Sequence, residues 1–117
     1  MPEWTQADLE RVCAAWQEVL RLRDWEIKIR FCAAFDIDRD SMGEIHFRLP
    51  KKAAAIRILK PDHFEPNEDF PQDIEKTIVH ELLHLHYCDL TSDGFNLAEE
   101  RAVNAISSGL VSLKRFF

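Results

Sequence analysis

Two histidines and a glutamate form the motif in this sequence that is best suited to chemistry. Residues 80 to 84 read His-Glu-Leu-Leu-His within an apolar run of helical character. Histidines four positions apart lie on the same side of an α-helix, so both imidazoles can bind one zinc ion. The intervening Glu81 can reach a water molecule bound to such an ion. The spacing therefore predicts a zinc site with His80 and His84 as ligands and Glu81 as the general base that activates the water.

A zinc hydrolase site needs a third protein ligand and an open position for water. Glu100 and Asn104 lie four residues apart in a second helical segment, which puts a carboxylate and an amide on one helical face. Glu100 is therefore the predicted third ligand. The Asn104 amide is expected to hydrogen-bond one of the two histidines without binding the metal itself.

Two other residues are alternatives to Glu100 as the third ligand. Glu99 adjoins it, but a capping interaction with Asn96 at the start of the same helix explains Glu99 better. Cys88 follows His84 by four residues and shares its helical side, so a thiolate ligand is chemically acceptable there. The direction of the side chain favours Glu100 over Glu99, and a buried cysteine that binds no metal is the commoner state of a residue such as Cys88.

The two motifs together resemble those of the gluzincin class of zinc metallopeptidases. His80-Glu81-Leu82-Leu83-His84 followed by Glu100-Arg101-Ala102-Val103-Asn104 is most similar to small bacterial and phage ImmA/IrrE-like domains, over roughly residues 25 to 113. The resemblance implies that both histidines and Glu100 bind zinc and that the motif glutamate polarises the water. It also implies a minimal zincin-like domain that hydrolyses a peptide bond. Because so small a domain leaves little cleft for general digestion, we expect a specific protein as its substrate.

Such a site usually adds a hydrogen-bond donor that stabilises the oxyanion formed during hydrolysis. The candidates are Tyr87, which heads the set, together with His86, His46 and Arg101. His86 falls at the edge of the apolar stripe of the motif helix, so a packed and hydrogen-bonded histidine is the expected state there.

Two other functions fit parts of the pattern. The first is a zinc-stabilised, catalytically weak protein-binding or regulatory module, in which a fourth protein ligand such as Cys88 closes the coordination. The second is a deformylase-like zinc hydrolase, in which Cys32 from an upstream strand would be a ligand. The neighbours of Cys32 carry no further support for that reading. An open coordination position distinguishes the peptidase from the binding module.

Periodicity and capping signals predict the elements that position these residues. Apolar residues at three- and four-residue spacing predict helices, and strict alternation predicts strands with one exposed face. The first predicted elements are a helix from Thr5 to about Arg23 and strands over 25–31, 45–49 and 54–59. A loop over 61–71 follows. The last two elements are a helix with Pro71 in its first turn, which ends near Cys88, and a helix from Asn96 to about Lys114. Short connections favour antiparallel hairpins between successive strands. We therefore predict one α+β domain over residues 1–117, with a three-stranded antiparallel or mixed sheet.

The third strand is also a candidate for substrate binding. An edge strand beside the motif helix of a gluzincin-like fold pairs with an extended peptide. The small side chains of residues 53 to 55, all alanine, would permit a close approach. Alanines packed beneath the helix are the simpler expectation.

Composition bounds the remaining properties. The net charge of −6 argues against nucleic acid as a direct partner, because phosphate binding requires a basic surface. The odd number of cysteines, three, argues against a disulfide framework. The first residues lack the basic and apolar regions of a signal peptide, and no apolar run reaches the roughly 18 residues of a membrane span. We expect a cytoplasmic protein with no membrane partner, while the sequence leaves the oligomeric state open.

Overall fold

Three helices and three strands make up the part of the chain that the structure describes. The computed structural model describes residues 4–37, 41–64, 71–88, 90 and 96–117. The elements are α1 (Gln6–Val19), β1 (Glu26–Cys32), β2 (Gly43–Arg48), β3 (Ala53–Leu59), α2 (Ile74–Tyr87) and α3 (Leu97–Phe116). The predicted α+β class is confirmed. Of the predicted loop over 61–71, residues 65–70 lie outside the described residues.

Helix α1 begins at the predicted cap and ends earlier than expected. The Thr5 side chain accepts a hydrogen bond from the backbone N–H of Asp8, and the Asp8 carboxylate accepts one from the backbone N–H of Thr5. This capping box satisfies two N–H groups that the helix cannot pair internally. The helix ends at Val19 rather than near Arg23, because Arg21 takes a left-handed conformation with φ of 63°. A right-handed helix cannot continue through that conformation.

The sheet is mixed, with β3 at its centre. The strand order is β1-β3-β2. Strand β1 pairs in parallel with β3, and β2 pairs antiparallel with β3. The predicted hairpin between the second and third strands is confirmed, but the predicted hairpin between the first two strands is wrong. The expectation that β3 could bind substrate as an edge strand is also wrong, since both of its edges are paired.

Burial explains why β3 takes the central position. Four of its seven residues are buried, whereas β1 has two buried residues and β2 has none. A central strand is covered along both edges and therefore needs the most apolar sequence of the sheet. Ile56 and Ile58 of β3 are fully buried and form the core with Leu9 of α1 and with Ile78 and Leu82 of α2. Each such side chain stabilises the fold by about 1.5–3 kcal/mol through burial.

A close contact at Gly43 sets β2 against α2. A Cβ atom at this position would lie 2.7 Å from the Cγ2 methyl carbon of Thr77 and 3.1 Å from the carbonyl oxygen of Arg57. Only a residue without a side chain permits that approach. Glycine therefore lets the edge strand β2 lie close to the helix that carries the histidine motif.

Polar contacts join the start of α2 to the end of α3. Arg115 Nη1 lies 2.7 Å from Asp73 Oδ2 and Arg115 Nη2 lies 3.0 Å from Asp73 Oδ1. Lys114 forms an ion pair with Glu75, whose carboxylate also accepts a hydrogen bond of 2.8 Å from Trp16 Nε1. With its C-terminal end held at the start of α2, α3 runs antiparallel to α2. The first turn of α3 therefore lies beside the last turns of α2, where the histidine motif is.

Asp73 is also the residue at which α2 begins. Its side chain accepts a hydrogen bond of 3.1 Å from the backbone N–H of Lys76, which makes it the N-cap of the helix. Pro71 was predicted to lie in the first turn, but it precedes the N-cap by two residues. The capping hydrogen bond, which the proline ring cannot make, decides where this helix starts.

No helix in the described ranges is both long enough and apolar enough to cross a membrane. The longest, α3, has 20 residues. It carries Glu99 and Glu100 in its first turn and Lys114 and Arg115 in its last turn.

Candidate metal centre

The two motif histidines lie on one side of α2, as their spacing predicts. Their Nε2 atoms are 3.3 Å apart, and their ring centroids are 5.0 Å apart. The side chains of Ile78, Leu82 and Leu85 are buried in the core. Because the apolar stripe of α2 faces the core, the imidazoles are left at its border, half-buried and directed toward α3.

Glu100 of α3 completes a group of three side chains that could hold a metal ion. Its carboxylate oxygens lie 2.8 Å from His84 Nε2 and 3.4 Å from His80 Nε2. One possible ligand atom from each of the three residues lies within 4.8 Å of the other two, so the group could hold a metal ion. The structure therefore brings together the three residues predicted as ligands.

The neighbouring Glu99 has a different contact from the one predicted. Its backbone N–H donates a hydrogen bond of 2.9 Å to Asn96 Oδ1, so the predicted capping by Asn96 is confirmed. The Glu99 carboxylate, however, contacts His84 Nδ1. A carboxylate at Nδ1 favours a proton on that nitrogen and leaves the lone pair of Nε2 directed at the metal-binding group. This role of Glu99 was not predicted from the sequence. The presence of two adjacent acids could have indicated it, because their side chains point about 100° apart on a helix and can reach different atoms.

The surroundings of His80 favour its neutral form, which is the form that binds metals. Burial lowers the pKa of His80, and the nearby His84 lowers it further, while the Glu100 carboxylate and a hydrogen bond with the Asn104 side chain oppose the shift. The contact with Asn104 agrees with the prediction that this amide would hydrogen-bond one of the histidines. A neutral imidazole is required because a protonated ring nitrogen has no lone pair for a metal.

Glu81 is a buried carboxyl group close to two other acids. Only 6% of its surface is exposed. Burial raises the pKa of Glu81 to about 8, and the negative charges of Glu100 and Glu44 contribute to the increase. A positive charge at the His80–His84–Glu100 group would favour the ionised carboxylate, the form that can accept a proton from water.

The alternative cysteine ligands do not join the histidine group. Cys88 Sγ donates a hydrogen bond to the carbonyl oxygen of Leu85 at 3.1 Å. Cys32 is 2% exposed at the end of β1, and burial raises the pKa of its thiol. Within the described residues, His80, His84 and Glu100 form the one such metal-binding group.

The four residues predicted as possible oxyanion donors differ in burial and in hydrogen-bond partners. Tyr87 is half-buried and packs against the core one turn beyond His84. His86 Nε2 lies 2.7 Å from the carbonyl oxygen of Leu20, in agreement with the hydrogen-bonded state predicted for this residue. His46 Nε2 lies 3.0 Å from Arg57 Nη2 on β3. Arg101 is exposed on α3. The choice of Tyr87 as oxyanion donor stays a prediction.

Comparison with known proteins assigns no family to the chain. No protein-family model, no curated protein and no solved structure matches it. The function must therefore be inferred from the geometry and chemistry of the site itself.

Proposed function

We propose that this protein is a zinc-dependent metallopeptidase of the gluzincin type, which hydrolyses a peptide bond in a specific protein substrate. The observation that carries the proposal is the convergence of His80 Nε2, His84 Nε2 and the Glu100 carboxylate beside the buried carboxyl group of Glu81. Two imidazoles and one carboxylate are the protein ligands of one common class of catalytic zinc site.

The distances within the group suit a zinc ion. With zinc–ligand bonds of about 2.0–2.1 Å, two ligand atoms of a tetrahedral site lie about 3.3 Å apart. The two Nε2 atoms are 3.3 Å apart, and the Glu100 oxygens lie 2.8 and 3.4 Å from them. Calcium and magnesium prefer oxygen ligands in larger number, so the donor set favours zinc over both.

Glu81 would act as general base and then as general acid. A zinc ion held by His80, His84 and Glu100 would supply Lewis-acid chemistry, lowering the pKa of a water molecule and polarising the carbonyl of the scissile bond. The Glu81 carboxylate accepts the proton of the attacking water and delivers it to the leaving amine. Because Glu81 is buried, bulk solvent is excluded from its carboxyl group. The proton is therefore transferred to the leaving amine and not to bulk water.

The edge strand β2 is the element best suited to bind an extended substrate. Within the described residues, β2 pairs with β3 alone, so its other edge can accept a further strand. The contact at Gly43 holds β2 against α2. A peptide paired with β2 would extend along the helix that carries the metal-binding histidines, in the position first expected of β3.

The rival function, a zinc-stabilised binding module, requires a fourth protein ligand. Cys88 was the candidate, and its Sγ donates to the carbonyl oxygen of Leu85. Among the residues that the structure describes, this group has three possible ligands and so leaves one tetrahedral position for water, which favours the peptidase over the binding module.

Metal content tests the ligand assignment. We expect about one zinc per chain in the wild-type protein purified without added metal, loss of zinc in Glu100→Ala, and retention in Cys88→Ala. Elemental analysis of the three proteins measures this directly. Zinc that persists in Glu100→Ala and disappears in Cys88→Ala would overturn the proposed site.

Cleavage of a peptide library, followed by mass spectrometry, tests the activity. Glu81→Gln should retain zinc while its rate falls by about 10²–10⁴, because the variant removes the proton acceptor without removing a ligand. A zinc-bound wild-type protein that cleaves no faster than Glu81→Gln would favour the binding module.

A further inference from the structure

Helix α3 has a second face, opposite the one that contacts α2, which the monomer leaves exposed. The buried side of α3 contains Val103, Ser107 and Val111, with exposures of 0%, 0% and 2%. On the other side, six residues between positions 102 and 116 lie within about 60° of Gly109 at 100° of rotation per residue. We name this the α3 seam; it consists of Ala102, Ala105, Ile106, Ser112, Leu113 and Phe116 around Gly109.

The apolar residues of the α3 seam are accessible. Ile106, Leu113 and Phe116 are 40%, 55% and 82% exposed. A contiguous exposed apolar surface on a helix marks a site of association more often than isolated exposed residues do. The surface also lacks charge, since residues 102 to 113 include no Asp, Glu, Lys or Arg in a chain with 31% charged residues.

The part of the monomer that the structure describes does not explain Gly109. A Cβ atom at this position would have no heavy atom of a described residue within 4 Å, so neither packing nor space requires glycine there. Glycine is also among the least favourable residues in a helix interior. The close approach of another backbone is the usual reason for such a glycine.

We propose that the α3 seam binds a second copy of this chain, as an antiparallel helix pair related by a two-fold axis at Gly109. In that arrangement residue n faces residue 218 − n. Phe116 then faces Ala102, Leu113 faces Ala105, and Ile106 faces Ser112. Every large side chain meets a small one, and the two glycines meet at the crossing point. A parallel pair would instead oppose Phe116 to Phe116 and Leu113 to Leu113.

The lack of charge on the α3 seam makes it the face through which two copies can meet with the least repulsion. Two chains of net charge −6 repel each other, and the repulsion is smallest where they meet through surfaces without charge. A strongly acidic or basic partner would find no complementary charge on this face. The contact extends over about 21 Å of one helix from each chain. A single pair of helices of this length buries less surface than the ~1,600 Å² of a standard interface. The association should therefore be reversible.

The proposal is independent of catalysis. Glu100 lies on the side of α3 opposite Gly109, about 180° around the helix. Self-association through the α3 seam therefore leaves the metal-binding group accessible. Variants of the α3 seam should retain the zinc content of the wild-type protein, which separates a failure of this proposal from a failure of the proposed function.

Sedimentation velocity over about 5–500 µM tests the association, because interfaces smaller than the standard size are typical of weak, transient complexes. We expect a dimer fraction that rises with concentration in the wild type. Leu113→Glu and Ala105→Glu should weaken the dimer at least tenfold, because each places two buried charges in the contact. Val19→Glu, at a residue 63% exposed on α1, is the matched control and should leave the dimer unchanged.

Disulfide trapping tests the direction of the pair. In the antiparallel arrangement Gly109→Cys should form a covalent dimer, whereas the two copies of Ala102→Cys would lie about 21 Å apart and should not. The wild-type chain controls for the native cysteines. The inference would be overturned if the wild-type protein stayed monomeric over the whole concentration range of the sedimentation experiment. It would also be overturned if Val19→Glu weakened the dimer as much as Leu113→Glu does. Equal trapping by both cysteine variants would show that the pair is not antiparallel.

Discussion

The two adjacent glutamates at the start of α3 contact opposite sides of the same imidazole. The Glu100 carboxylate lies at His84 Nε2, and the Glu99 carboxylate lies at His84 Nδ1. The first contact belongs to the proposed ligand set, whereas the second orients the ring. A hydrogen bond at Nδ1 keeps the ring from rotating and fixes its tautomer, so that the lone pair of Nε2 remains available. One helical turn thus supplies both a proposed ligand and a residue that positions another proposed ligand.

Glu99 should therefore affect zinc affinity without being a ligand. We expect Glu99→Ala to weaken zinc binding by about 10–100-fold, and Glu99→Gln to weaken it less, because its amide oxygen still accepts a hydrogen bond from Nδ1. Competition with a zinc chelator of known affinity measures the change. Glu18→Gln, at an exposed position of α1, is the control. Unchanged affinity in Glu99→Ala would show that the contact has no role in orienting His84.

At the scale of elements, the antiparallel packing of α2 and α3 brings the site together. The proposed ligands come from the last turns of one helix and the first turn of the other. Two ion pairs at the far end, Asp73 with Arg115 and Glu75 with Lys114, set the alignment of the two helices. Hydrogen bonding to Arg115 lowers the pKa of Asp73. Burial of Glu75 opposes its ionisation, but the contacts with Lys114 and Trp16 outweigh burial and lower its pKa as well.

The contribution of Arg115 to stability should depend on pH. A carboxyl group with a lowered pKa in the folded state stabilises the fold above its unfolded pKa, about 4 for aspartate, and this contribution is lost as pH falls through the folded value. Arg115→Ala should therefore reduce the free energy of unfolding at pH 6 by about 1 kcal/mol, in the range of partly exposed ion pairs. The difference from wild type should shrink below pH ~4.

Denaturant unfolding between neutral and acidic pH measures this difference. The matched control is Arg23→Ala, since Arg23 is exposed and lies 3.7 Å from an exposed Glu18. That variant should differ little from wild type at any pH. A constant difference for Arg115→Ala across the range would show that the ionised Asp73 does not depend on Arg115.

At the scale of the whole molecule, the core and the candidate metal centre occupy different parts of the fold. The core joins α1, the sheet and α2, and it includes Val103 and Val111 of α3. The metal-binding group lies at the border of that core and connects α2 with α3. A bound ion would therefore add a second connection between these helices without being needed for the rest of the fold.

Zinc should raise the thermal stability of the intact protein without being required for folding. Ligand at 100–1,000 times its dissociation constant stabilises a protein by about 2.7–4.1 kcal/mol, which corresponds to an increase in Tm of roughly 10–17 °C for a domain of this size. Thermal unfolding monitored by circular dichroism, with zinc and with chelator, measures the shift. Glu100→Ala should show no zinc-dependent shift. An equal shift in Glu100→Ala and wild type would place the stabilising zinc elsewhere.

The sequence by itself determined the features that depend on neighbours along one chain segment. The capping box at Thr5 and Asp8, the cap at Asn96 and the shared side of His80 and His84 all follow from the fixed geometry of a single helix. Glu100 could be chosen as a ligand because its direction on α3 is fixed in the same way. The types and the spacing of residues within one helix are sufficient to predict such features.

The tertiary structure decided which elements meet. The parallel pairing of β1 with β3 depends on the competition among three strands for a central position, which the short connections did not reveal. The contact of Glu99 with His84 depends on the antiparallel packing of α2 against α3. Both are relations between segments distant in the sequence, settled by burial over the whole core rather than by local geometry. For this reason the candidate residues of the site could be chosen from the sequence. The contacts that hold them in place, such as that of Glu99 with His84, could not.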